Sequence, residues 1–280
     1  MDLGLTSTIE FRGVTVPTML YGTAWKEAET ERLAGEALGV GFLGIDTANQ
    51  RKHYREADVG RAVRASGLRP FLQTKFTYQR GQDHRLPYDA LARYSEQVRQ
   101  SFASSLEHLG VERIDAYLLH GPEFGRGISA GDWEVWWEME ALHDEGLARL
   151  IGISNVSAEQ LRALVAGARV MPAFVQNRCY ASQGFDREVR AVCEEFGILY
   201  QGFSLLTANR PLWGNKALHP IARRIGGTPA QVLFRYAMSL GILPLTGTSD
   251  PLHMRADLRC REIMLTAEER ALMAELVDRS

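Results

Sequence analysis

The stretch "DAYLLH" (115–120) carries four apolar residues in a row, Ala116 to Leu119, and closes on a histidine. A strand with one wet face would alternate apolar and polar residues. An unbroken apolar run of this length fits a strand covered on both faces, as in a parallel sheet flanked by helices. Upstream, "YDALARYSEQVRQSFASSLEHLG" (88–110) has helical periodicity and stops at Gly110, a helix-ending residue. Downstream, Trp133, Trp136 and Trp137 sit at a helix start, with spacing that buries one or two of them, and "RLIGIS" (149–154) is a second apolar run.

The same unit recurs along the chain. "MLYG" (19–22), "FLGID" (42–46), "FLQTK" (71–75), "AFVQN" (173–177), "ILYQGF" (198–203) and "ILPLTG" (242–247) complete a set of eight short apolar runs. Helical patterns separate them. "KEAETERLAGEALGV" (26–40) puts Leu33, Ala34, Ala37 and Leu38 on one face, "SAEQLRALVAGA" (157–168) opens on the capping pattern Ser157-x-x-Gln160, and Thr228-Pro229 begins "TPAQVLFRYAMSLG" (228–241). Eight strands alternating with helices predict an α/β fold, a (β/α)8 TIM barrel in one domain over 1–280. The rival is a doubly wound open sheet, but no G-x-G-x-x-G follows the first run. Ahead of that run, "STIEFRGVTVPTM" alternates around Arg12-Gly13 and predicts a β-hairpin capping the bottom of the barrel.

Bulk properties exclude several function classes. A net charge of −2 gives no electrostatic reason for a nucleic-acid or membrane partner. Cys179, Cys193 and Cys260 lack the pairing or spacing of a disulfide framework or zinc site and point to a reducing compartment. The start "MDLGLTSTIEFRG" has no signal-peptide pattern, and no apolar run approaches the ~20 residues of a membrane span. The expectation is a cytoplasmic protein without a metal, monomeric or weakly homo-oligomeric.

In a barrel of this type the active site lies at the C-terminal ends of the strands. Asp46, Lys75, His120, Ser154-Asn155 and Gln176-Asn177 close five consecutive runs. One polar residue at a strand end only marks where the chain meets water; an acid, an amine, an imidazole and amides on one rim form a set. A phenol, with a pKa of ~10, gives up its proton poorly at neutral pH, and a nearby ammonium favours phenolate and makes it a better general acid. Tyr54, beyond the basic residues Arg51, Lys52 and His53, is the candidate phenol. Lys75 would acidify it, Asp46 would hold the lysine, and a neutral His120 would aim a carbonyl oxygen at it. Spacing alone favours reading Tyr54 as an ordinary surface tyrosine in a basic loop; the case for it rests on the assembly.

With these residues in place, the chain resembles the aldo-keto reductase family over essentially its whole length. The resemblance rests on "GTAWK" (22–26), "GFLGIDTA" (41–48), "LQTKF" (72–76), "LLHGP" (118–122), "IGISN" (151–155), "VQN" (175–177) and "LPLTGTSDPLHMRADL" (243–258). It implies NAD(P)H-dependent reduction of a small-molecule carbonyl substrate by Asp46, Tyr54, Lys75 and His120. It also implies a cofactor site in which Ser154, Asn155 and Gln176 hold the nicotinamide, Phe203 stacks on it, and Ser204 and Leu206 lie near the pyrophosphate. Gly247, Thr248, Ser249, His253 and Asp257 would surround the adenosine end, beside a helix N-terminus suited to phosphate; on spacing alone "GTSDP" is also a simple turn and cap. Trp25, Tyr78 and Gly121 would line the substrate pocket, although Trp25 is as readily a packing residue.

The chain departs from the family pattern in four places. The gap between Asp46 and the tyrosine is eight residues where many members have five, with Tyr21 and Tyr78 as the fallback phenols. Gly247 and His253 replace a lysine and an arginine frequent around the 2′-phosphate, which leaves NADPH as the expected cofactor and NADH as the alternative. Gly121 replaces a tryptophan, and Leu205 a proline. Two further readings stay open: a non-catalytic nucleotide-binding relative, and a barrel enzyme using Lys75 as a Schiff base.

Overall fold

The computed structural model describes residue 3 and residues 5–279. Strands β1 (Thr8–Phe11) and β2 (Val14–Pro17) pair antiparallel, Thr8 opposite Pro17 and Phe11 opposite Val14. Arg12 and Gly13 both hold positive φ, 48° and 75°, as the tight two-residue turn of a hairpin demands.

A closed parallel barrel follows: β3 (Leu20–Gly22), β4 (Gly44–Asp46), β5 (Phe71–Phe76), β6 (Ile114–Leu119), β7 (Ala148–Ser154), β8 (Phe174–Arg178), β9 (Leu199–Phe203) and β10 (Ile242–Thr246), with β10 bonded back to β3. Helices α1 (Thr30–Val40), α2 (Glu56–Ser66), α3 (Tyr94–Leu109), α4 (Ala130–Asp144), α5 (Ala158–Gly167) and α6 (Arg187–Phe196) alternate with the strands. The short helices α7 (Arg210–Trp213) and α8 (Leu218–Arg224) precede α9 (Pro229–Ser239), and α10 (Pro251–Arg259) and α11 (Ala267–Asp278) come after β10. Both expected caps form as reciprocal boxes, Ser157 with Gln160 and Thr228 with Gln231. One expected helix is shorter than its pattern: α3 begins at Tyr94, because residues 88–93 engage side chains instead. Asp89 Oδ1 accepts from the Leu91 N–H (2.9 Å), and Gln97 donates to the Ala92 carbonyl (2.8 Å), local bonds that compete with a helical ladder.

Alternation along the strands sorts two apolar regions. Leu72, Phe76, Tyr117, Leu119, Ile151 and Val175 point out against the helices. Leu20, Phe71, Leu118, Leu150, Phe174 and Leu243 point into the lumen, where Val14 and Val16 of the hairpin join them. Phe174 is the hub of this plug, its ring 6.2 Å from those of Phe11 and Phe71. Gly152 is needed beside it, since a Cβ there would come within 2.6 Å of the Phe174 carbonyl oxygen. The lumen is therefore sealed at the bottom, and polar inward positions occur only toward the strand C-termini. Of the α4 tryptophans, Trp136 is buried, Trp133 half-buried and Trp137 exposed. Among the described residues no helix is long and apolar enough to cross a membrane.

Candidate active site

Inward positions two residues apart on β5 run Phe71, Gln73, Lys75, so the chain climbs from the apolar plug to an ammonium in two steps. Lys75 is fully buried, its Nζ 2.6 Å from Asp46 Oδ1 and 2.8 Å from the Thr47 carbonyl oxygen. The same carboxylate oxygen accepts from the amides of Gln73 (2.6 Å) and Gln176 (2.9 Å). Burial pushes the lysine below its usual pKa, and Asp46 opposes that shift. Such a pair persists where further hydrogen bonds support it, and here the Thr47 carbonyl and two amides do so.

The long loop after β4 does not carry Tyr54 outward. The Gln50 carbonyl accepts from the N–H groups of His53 (3.1 Å) and Tyr54 (3.0 Å), so the extra residues form one helical turn. Three side chains pin that turn: Asn49 donates to the Ser101 carbonyl (2.9 Å), Gln50 to Gly81 (2.8 Å), and Arg85 to Arg51 (2.7 Å). The Tyr54 ring arrives with its centroid 5.6 Å from Lys75 Nζ and 5.9 Å from the His120 ring. Of the two fallback phenols, Tyr21 donates to the Thr248 carbonyl (3.0 Å) and Tyr78 to Asp132 (2.8 Å).

The electrostatics differ from expectation at the phenol. Burial raises the Tyr54 pKa, and the Asp46 carboxylate adds to the rise, where a lowering by Lys75 was expected. The ammonium is already balanced by its partner, so little net charge remains to acidify the phenol. His120 behaves as expected: burial, then Lys75 and His53, push it down to about 3, so the imidazole is neutral. Its Nδ1 lies 2.7 Å from Thr77 Oγ1, which leaves Nε2 free.

Asp46, Tyr54 and His120 open onto a cavity of about 630 Å³, with Lys75 directly beneath. Ser154, Asn155, Gln176, Phe203, Ser204 and Leu206 line it, with Gly247 and Thr248 at the far end and Trp25 at the rim. Ser154 Oγ donates to the Gln176 carbonyl (2.6 Å), and Asn155 Nδ2 donates to that of His120 (2.7 Å). Asn155 and Ser204 hold φ of 52° and 59°, a conformation non-glycine residues rarely adopt away from sites that impose it.

Other expected site residues lie off the cavity wall. Tyr78 is buried among Phe76 and Tyr94, at ring distances of 5.4 and 5.2 Å, with its hydroxyl held by Asp132, so it packs the barrel exterior and does not line the pocket. Gly121 sits behind Asn155, where a Cβ would lie 3.4 Å from the Asn155 Cβ. Asp257 is buried, accepts from Thr246 Oγ1 (2.7 Å), and is raised by burial to about 6. Ser249 and His253 are exposed beyond the cavity end.

Several residues of the site escaped the sequence reading. Gln73 and Gln201 are fully buried and exchange both amide bonds at 2.8 Å, while Gln176 donates to Gln201 Oε1 at 2.9 Å. Counting back two positions from Lys75 and from Phe203 would have found them. Arg178 lies over the Phe203 ring at 5.7 Å, and Lys26 donates to the Gly247 carbonyl across the mouth; both line the cavity. Each follows a quoted motif by one residue or ends it.

Comparison with known proteins agrees with this geometry. Residues 17–278 match the model of the Aldo/keto reductase family. An aldo-keto reductase of Mycolicibacterium vanbaalenii is 32% identical over 92% of this chain and 88% of its own length. The crystal structure of an aldo/keto reductase from Brucella melitensis superimposes with a TM-score of 0.84 at 24% identity, covering 97% of this chain and 98% of that one. A Bombyx mori aldo-keto reductase in complex with NADP gives 0.80 at 24% identity, over 96% and 92%. The barrel, the order of its strand-end residues and the full-length match lead to one assignment: the chain belongs to the aldo/keto reductase family and is a reductase of that family.

Proposed function

We propose that this single-domain chain (1–280) reduces an aldehyde or ketone with NADPH, and that Tyr54 is the acid that protonates the carbonyl oxygen. The observation that carries this reading is the position of the Tyr54 ring, over the Lys75 ammonium and against a neutral His120, at the floor of one cavity.

The cofactor fits the donors and acceptors present. Gln176 and Asn155 have their amide nitrogens engaged inside the protein, so their amide oxygens are the atoms left to accept from a carboxamide. Phe203 offers a ring face, and Thr248 lines the end where a phosphate would sit, with the exposed His253 and Arg255 a few residues further along the chain. Bound there, the reduced nicotinamide supplies hydride to the carbonyl carbon. Tyr54 keeps its proton at neutral pH because burial raises its pKa. As negative charge develops on the carbonyl oxygen, the phenol transfers that proton, and the Lys75–Asp46 pair fixes the floor against which the ring lies. Thr77 donating to Nδ1 leaves His120 Nε2–H to hydrogen-bond the carbonyl oxygen and orient it. Lys75 is itself a poor nucleophile here, since its amine is engaged by Asp46 and Thr47 and does not line the cavity. Three buried free thiols support a reducing compartment, and we place the protein in the cytoplasm.

The test is oxidation of NADPH, and separately NADH, with a panel of aldehydes and ketones. Turnover with NADPH preferred is expected. Silence across the panel with both nucleotides overturns the reading.

A further inference from the structure

A second cavity, of about 750 Å³, lies beside the catalytic one and shares Trp25, His53 and Tyr54 with it. The partition between them is a pair of tilted rings in close contact. The Trp25 and His53 ring centroids are 3.5 Å apart, and the Trp25 N–H donates to the His53 carbonyl (2.8 Å). Trp25 holds φ 61°, costly for a bulky side chain, so this placement is imposed by its surroundings. Tyr54 borders both spaces, so a molecule whose carbonyl meets Tyr54 and His120 lies next to the second one.

Most charges around this second space are paired. Arg55 and Arg61 both pair with Asp58, at 2.7 and 2.6 Å, Arg61 also meets Glu31 (2.6 Å), and Arg85 pairs with Asp83. Glu56 is buried and engaged by Thr74, Ser105 and His108. Arg51 and Lys52 line the cavity too, and among the described residues neither side chain has a partner. Among the described residues, Glu27 is the one lining carboxylate without an ion pair. Both cations belong to the helical turn that lengthens the loop before Tyr54, and that turn is pinned through Asn49, Gln50 and Arg85. Returning Tyr54 to the mouth requires a turn. It does not require two unpaired cations facing a cavity that borders the phenol.

We propose that the substrate is an anionic carbonyl compound: its carbonyl sits on Tyr54 and His120, and a carboxylate or phosphate ester at its other end lodges against Arg51 and Lys52. This rests on the reductase reading and adds the substrate class. Charge-assisted bonds to the half-buried Arg51 guanidinium and the exposed Lys52 ammonium give moderate selectivity that weakens with salt.

The experiment compares p-carboxybenzaldehyde and p-formylphenyl phosphate with the neutral methyl p-formylbenzoate. The expected result is kcat/KM higher for one or both anions by about tenfold or more, falling as salt rises. The better of the two identifies the anion as carboxylate or phosphate. Combining Arg51→Gln with Lys52→Gln should bring the anion-to-ester ratio to about one, and Arg51→Lys should retain most of it. A ratio near one in the natural protein, or a ratio unmoved by the double substitution, overturns the proposal. Absence of any nucleotide oxidation with all three aldehydes would instead count against the reductase reading. Calorimetric binding then decides the charge question without turnover: tighter binding of p-carboxybenzaldehyde than of the ester, lost in the double variant, supports the anion site, and equal binding sinks it.

Discussion

The two sides of the catalytic cavity are built on different plans. Toward β4, β5 and β6, Asp46, Lys75 and Thr77 are buried, and the polar groups there are bonded to one another at 2.6–2.9 Å. Toward β9 and β10, Thr207, Gly247 and Ser249 are exposed on connecting loops, and His253 is exposed in the first turn of α10. Charge that must act on a reacting atom is held on rigid strands in a dry lumen, where it needs no reorganisation. Grip on a large ligand can be spread over loops, because no single contact there has to be placed as exactingly.

This contrast can be tested by substitution on either side. The largest expected effect is at the phenol: Tyr54→Phe should lower turnover by about 10²–10⁴-fold while nucleotide binding, followed by fluorescence titration, persists. A fully active variant would move the acid elsewhere. Next comes the buried pair. Lys75→Met strands the Asp46 carboxylate, and denaturant unfolding should show a loss of about 3–5 kcal/mol; His253→Ala on the opposite side should change stability by no more than about 0.5 kcal/mol. Equal losses at both positions would erase the distinction drawn here. Gln73→Leu removes donors from Asp46 and Gln201 and should cost about 1–3 kcal/mol by the same measurement.

The smallest expected effect is an absence. His120 is held down to about 3 by burial, so the pH–rate profile should show no imidazole inflection near the usual value of about 6.5. For stability the sign follows from a folded pKa below the unfolded one. The contribution of His120 is present above about 6.5 and is lost as pH falls toward about 3. An inflection near 6.5 that disappears in His120→Asn would show a charged imidazole.

The strands were legible because both their faces are covered. Continuous apolar runs such as "DAYLLH" have few other interpretations, and their observed bounds differ from the expected ones by only a residue or two. The strand-end set Asp46, Lys75 and His120 was legible for the related reason that a charge closing such a run is conspicuous. Gln73 and Gln201 were not, since an amide inside a strand looks like a break in the pattern until its bonded partner on a distant strand is known. Tyr54 could be named but not positioned, because a single helical turn and an outward excursion have the same length in sequence. Residues 88–93 read as helix because periodicity does not register the side-chain bonds of Asp89 and Gln97. The second cavity left no trace beyond the basic residues Arg51 and Lys52, since the pairing that occupies Arg55, Arg61 and Arg85 is a tertiary matter.

The reciprocal amide bonds between Gln73 and Gln201 join staves that are not neighbours in the barrel. They act as a crossbeam, and the lumen cannot be widened at that level without breaking two bonds at once. The depth available to any guest is thus capped from below, just under Asp46. Attempts to admit bulkier molecules by redesign would gain room from the loops above this beam, not from the shaft beneath it.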